Sequence, residues 1–136
     1  MGEARLRGKA MRDLLRAGAG TAVGLGLLSA GVTAPKAAGA LAIGKCAAYG
    51  YAYDYPSAKE AEAAAMQKCD GSCQKVVTTQ KGCVAFAVDG HKPCGPHGYA
   101  NAPRLGAAQN TALKFCYRYG GKDCVIRAWI CDGKKS

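Results

Sequence analysis

The chain has 136 residues, of which eight are cysteine, and a formal net charge of +10. That length leaves room for one domain once a leader is set aside. The basic side chains are scattered, which excludes the polybasic arm and the clustered motifs of common nucleic-acid-binding modules.

The first 40 residues read as a leader. Arg5, Arg7, Lys9, Arg12 and Arg16 precede an uncharged run from Ala17 to Ala34, and small residues follow at Ala38 and Ala40. A basic region, an apolar region and an A-x-A site in that order make a cleavable secretory signal peptide. Cleavage is expected after Ala40, with Ala42 as the alternative, leaving a single domain over 41–136. A retained anchor fits less well, because five glycines interrupt a run shorter than the ~20 strongly apolar residues of a spanning helix. Acylation at Cys46 is disfavoured by Lys45, where a lipobox takes a small residue. The remaining chain carries 13 basic and seven acidic side chains, a net charge of +6. All eight cysteines lie within it, and in an exported chain an even count implies disulfides.

Within that domain, Tyr49, Tyr51, Tyr53 and Tyr55 alternate with small or polar residues. Strict period two predicts a strand with all four rings on one face. The face serves either as a packing surface or as a platform for sugars or peptides. Pro56 stops the strand, and Ser57 with Glu60 forms a capping box for a helix. Ala58, Ala61, Ala65 and Cys69 make its buried stripe, so short that the helix must approach its sheet closely. Asp70-Gly71 ends the helix. KVVTT from Lys75 and CVAFAV from Cys83 read as strands.

Asp89 to Pro103 reads as a long irregular loop, rich in glycine and proline, carrying His91, Cys94 and His97. Segments of this kind often carry function. Leu105, Ala108, Ala112 and Cys116 then repeat the first helical stripe at an offset of 47 residues, and Cys124 to Cys131 closes as a strand. The predicted order is β-α-β-β-α-β, an internally duplicated α+β fold with two helices on a small disulfide-stapled sheet. Cys69 with Cys73 and Cys116 with Cys124 join each helix end to the next strand. Cys83 with Cys131 would pair next, leaving Cys46 for Cys94, but eight cysteines allow 105 connectivities and spacing alone does not choose among them. A ferredoxin-like sheet would put Cys83 and Cys131 at opposite ends, so that topology and that pairing conflict.

GYAY from Gly50, the A-x-x-A-x-x-x-A-x-x-x-C helix, C-x-K-V-V from Cys73, G-C-V-A-F-A from Gly82, the second A-x-x-x-A-L-x-x-C helix and C-V-I-R-A-W-I-C from Cys124 resemble one family. It is the small exported bacterial domain of unknown function, family 4189, and the resemblance covers roughly Ile43 to Asp132. It implies a secreted or periplasmic α+β module without an assigned reaction. Cys46, Cys94 and the His/Pro loop depart from the usual pattern, and the resemblance carries over no catalytic residue.

His91, Cys94 and His97 are the candidate metal ligands, since imidazole and thiolate suit zinc, copper or nickel. A disulfide at Cys94 competes with that reading. Cys69 and Cys73 follow a helix instead of preceding one, so they miss the positive helix N-terminus that activates a redox thiol. No acid/base pair or nucleophile with its base stands out. The sequence therefore reads as an exported, non-catalytic binding module without a cofactor, its surface formed by Tyr49, Tyr51, Tyr53, Tyr55, His91 and His97. Its expected partner is a protein or an anionic envelope or host component, with nucleic acid disfavoured. The alternative is a small envelope enzyme or metal-binding protein centred on His91, Cys94 and His97.

Overall fold

A computed structural model describes residues 37–132, so the leader expected over residues 1–40 lies outside the described residues but for its last four. The elements are β1 (Ala38–Gly44), a single 3-10 turn (Lys45–Ala47), β2 (Tyr49–Tyr55), α1 (Ala58–Gln67), β3 (Cys73–Thr79), β4 (Gly82–Asp89), β5 (His97–Ala102), α2 (Leu105–Arg118) and β6 (Cys124–Asp132). Two three-stranded antiparallel sheets result, ordered β2-β1-β3 and β5-β4-β6. Each half thus runs β-β-α-β with its first strand in the centre.

The class is α+β as the sequence predicts, but the order contains two further strands and the single expected sheet is two. Strand β1 overlaps the small-residue end of the expected leader, and β5 lies inside the segment read as a loop. Both strands need small residues on one side because a helix lies close against them. A cleavage after Ala40 would remove Ala38, Gly39 and Ala40 from β1, which pair with both of its neighbours.

Alternation along the central strands sorts side chains by size between two surfaces. Leu41 and Ile43 of β1 meet Val84, Phe86 and Val88 of β4 in one cluster between the sheets. Ala38, Ala40 and Ala42 turn to the other side, against Ala61, Ala64 and Ala65 of α1. Cys83, Ala85 and Ala87 likewise face Ala108, Ala112 and Cys116 of α2. The molecule is a four-layer α/β/β/α sandwich with a bulky aliphatic centre and two thin alanine layers beneath the helices. Full burial of Phe86 alone is worth about 3 kcal/mol of apolar transfer.

Close helix approach depends on Gly50 in β2 and Gly98 in β5. A Cβ at Gly50 would overlap the Ala65 carbonyl and lie 2.6 Å from the Cys69 nitrogen. One at Gly98 would overlap the Ala112 carbonyl and lie 2.6 Å from the Cys116 nitrogen. Ser57 caps α1 as expected, its Oγ accepting from the Glu60 N–H at 3.2 Å.

The cysteines pair as Cys46–Cys94, Cys69–Cys73, Cys83–Cys131 and Cys116–Cys124. The conflict over Cys83 and Cys131 is resolved by the topology. Strands β4 and β6 are antiparallel neighbours, so the start of one lies beside the end of the other, with Cα atoms 4.0 Å apart. Cys46–Cys94 links the turn after β1 to the loop after β4, tying the two halves together. Four such bonds fit an oxidising compartment. Among the described residues no helix is long and apolar enough to cross a membrane.

Candidate binding groove

Strands β2 and β6 are edge strands of different sheets, and they lie side by side along one flank of the sandwich. Tyr49, Tyr51 and Tyr53 project from β2 as a stacked ladder, with ring centroids 6.4 and 6.2 Å apart and planes inclined by 19° and 3°. Tyr49 packs on the central core, whereas Tyr51 and Tyr53 are 45% and 55% exposed. Tyr55 does not join them, correcting the expectation of four rings on one face. A bulge lies between the pairs Ala38↔Tyr55 and Ala40↔Ala52, and Asp54 there has a φ of 59°. One extra residue reverses the alternation, so Tyr55 packs with the alanine layer of α1.

The ladder forms one wall of a groove of about 660 Å³. Its other lining residues are Gln109 of α2 and the continuous run Ile126 to Cys131 of β6. Trp129 is 49% exposed on this flank. Arg127, the one formally charged lining residue, has its guanidinium carbon 5.0 Å from the centre of the Tyr49 ring. Its Nε donates to the Ala47 carbonyl at 3.2 Å, and an Nη lies 4.0 Å from an Asp70 carboxylate oxygen. Asp70 in turn accepts from the Tyr49 N–H at 2.7 Å, fixing the first rung of the ladder to the end of α1. Lys68 completes the rim, its ammonium 5.9 Å from the Tyr51 ring centre. The surface offers flat aromatic faces, the two cations of Arg127 and Lys68 and an open strand edge. Such a set grips a ligand by stacking, charge and backbone hydrogen bonds.

The histidines lie elsewhere, and the proposed His91/Cys94/His97 constellation is not assembled. Cys94 is bonded to Cys46. His91 Nε2 lies 2.8 Å from Asp123 Oδ2, and His97 sits edge-on to Phe86 with centroids 6.0 Å apart. Among the described residues no group of three or more His, Cys, Asp or Glu side chains is placed to hold a metal ion. His97 instead lines a second groove, of about 520 Å³, with Tyr99, Phe115 and Tyr119.

Asp89, only 4% exposed, anchors the histidine loop. Its carboxylate accepts from the N–H groups of His91 at 2.9 Å, Lys92 at 3.3 Å and, across the chain, Lys122 at 3.0 Å. The Lys122 bond foremost, then that of His91, holds the carboxyl below the ordinary range. Asp132 shows the opposite. It is 3% exposed without a hydrogen-bond partner among the described residues. Burial, and then repulsion from Asp54, pushes its carboxyl up.

Sequence reasoning found the ladder and missed the opposite wall. Trp129 and Arg127 lie in the strand predicted from Cys124 to Cys131, to which the sequence assigns no binding residue, and Gln109 carries no signal. The alternating CVIRAWIC strand was the available clue, since an edge strand of that pattern must show some apolar residues to solvent. No curated protein and no solved structure significantly matches the chain. The family model described as Domain of unknown function (DUF4189) does match, over residues 38–131, from the first residue of β1 to the last cysteine of β6. The chain therefore belongs to the DUF4189 family.

Proposed function

We propose that this is a secreted or periplasmic binding module, acting without catalysis, whose ligand lies in the groove between the tyrosine ladder and β6. The observation that carries the reading is the pair of exposed, stacked rings of Tyr51 and Tyr53 facing an exposed tryptophan across a groove with a single formal charge. Aromatic side chains are costly to leave in water and are enriched where proteins bind. Their partner is a protein or an envelope or host component bearing acidic groups, which the surplus of basic side chains attracts and salt weakens.

The test uses panels of random peptides and of envelope oligosaccharides, presented to the native protein and to a Tyr51→Ala/Tyr53→Ala variant. Both rings are largely solvent-exposed, so the variant should keep its fold. The expected result is ligand capture by the native protein and a loss of about tenfold or more in the variant, the scale of one or two binding hot spots. Equal capture by both proteins places the binding surface elsewhere. The groove, and not the histidine loop, is the assigned contact. A His91→Ala/His97→Ala variant should therefore bind as the native protein does.

A further inference from the structure

We infer that the open edge of β6 receives an extended acidic peptide segment as an added strand; this rests on the groove being the binding surface. Strand β6 is nine residues long and pairs only with β4, leaving its other edge without a strand partner among the described residues. The groove is lined by six consecutive residues of this strand, Ile126 to Cys131, which include both faces. Its floor is consequently the strand edge itself, not one side of the sheet. Sheet edges in soluble proteins are normally guarded by charge, proline or short length. Here the only charge between Cys124 and Cys131 is Arg127, while Val125 and Trp129 are 46% and 49% exposed.

The backbone of that edge is oriented for pairing. Cys83 and Cys131 stand opposite each other with Cα atoms 4.0 Å apart, the narrow spacing of a non-hydrogen-bonded antiparallel pair. The N–H and C=O groups of Cys131 therefore point away from β4, and those of Trp129, two residues back, do the same. The irregularity between Phe86 and Ala87 falls at Arg127, so regular pairing is available from Ala128 onward. Alternate side chains of an added strand would lie against Tyr49, Tyr51 and Tyr53 on one side and against Trp129 and Gln109 on the other. The rings repeat every 6.2 to 6.4 Å, close to the two-residue repeat of about 6.7 Å in an extended peptide.

Charge selects the occupant. Arg127 and Lys68 together outnumber the one carboxylate beside them, Asp70 at 4.0 Å from the guanidinium, so an acidic side chain of the peptide is matched there. A second copy adding its own β6 antiparallel about Arg127 would set two guanidiniums face to face, which like-charge pairing disfavours.

The experiment selects binders from a random twelve-residue peptide display library on the full chain with its disulfides formed, and tests soluble chitooligosaccharides in parallel. The one tryptophan of the chain, Trp129, reports occupancy of the native protein by its fluorescence, and titration calorimetry measures binding to the variants that lack it. The expected binders are extended and acid-containing, and they slow amide exchange at Trp129 and Cys131 by about tenfold or more. Trp129→Pro, which lacks the outward N–H, should bind about tenfold more weakly than Trp129→Ala, as expected for one lost hydrogen bond at a binding edge. The exchange measurement on the unmodified chain decides the matter should the proline variant fail to fold. Peptides that bind without protecting the two amides overturn the inference, as does an empty selection. Oligosaccharide binding alone, with loss in the Tyr51→Ala/Tyr53→Ala variant, overturns strand addition and leaves the groove assignment standing.

Discussion

Adding one methyl group to Gly98 should damage the protein more than removing most surface side chains. The new Cβ would overlap the Ala112 carbonyl and lie 2.6 Å from the Cys116 nitrogen and 2.7 Å from the Phe115 Cβ. Two of these contacts are helix backbone, so no side-chain rotation relieves them. Relief requires α2 to lift from the sheet by about 1 Å, judged against ordinary contacts of 3.4 Å or more. Lifting it opens the layer of Ala85, Ala87, Ala100, Ala108 and Ala112, whose side chains are too short to refill the gap. Overpacking of this kind costs about 3 kcal/mol. Gly106, also on α2, provides the matched control, since nothing lies within 4 Å of its added Cβ. Gly106→Ala should stabilise by about 0.5 to 1 kcal/mol through helix propensity and a less flexible unfolded chain. Guanidinium unfolding with disulfides intact measures both. A Gly98→Ala variant within 1 kcal/mol of the native protein would refute the close packing of α2 on β5.

The remaining predictions concern the staples and the two buried carboxylates. Removing Cys46–Cys94 as a double serine variant should cost about 4 kcal/mol and removing Cys69–Cys73 about 2, because closing the longer loop restricts the unfolded chain more; unfolding curves check the order. The Asp89 carboxyl has a lowered folded pKa, so its stabilisation is complete above the ordinary value of 3.8 and is lost as pH falls through the folded value. The protection factor of the Lys122 amide, taken against its unstructured rate at the same pH, should fall at acid pH in the native protein, and Asp89→Asn should remove that dependence. Asp132 has the opposite sign. Its raised folded pKa makes ionisation unfavourable, a penalty absent below 3.8 that grows as pH rises through the folded value and is constant above it. Asp132→Asn, whose amide carries no charge to desolvate, should therefore stabilise the fold at pH 7, with the gain fading as pH falls below 3.8, checked by unfolding curves at the two pH values.

Much of this fold is legible in the sequence because helices and cysteines leave strong local marks. The alanine stripes of α1 and α2, the Ser57 cap and the apolar run of β4 depend on neighbours close in the chain. The missing strands do not. Strand β1 is central, yet its Ala-Gly-Ala-Leu-Ala pattern is dictated by α1 packing across it, a contact with residues about 20 positions away. Strand β5 carries glycine at position 98 for the same reason, and glycine there imitates a loop. The ladder was visible as a period of two, but the bulge at Asp54 that turns Tyr55 away arises from β1–β2 register, which no local pattern records. The far wall of the groove is a tertiary accident of the same kind. Trp129 and Tyr51 lie on separate sheets, and only the face-to-face stacking of those sheets brings their strands together.

The groove assignment is tested most directly by mapping amide and aromatic chemical shifts as a selected ligand is titrated into the native protein. The account predicts changes at Tyr49, Tyr51, Tyr53 and along Ile126 to Cys131, with little at the histidine loop. Changes centred instead on His97, Tyr99, Phe115 and Tyr119, with the ladder silent, would contradict it.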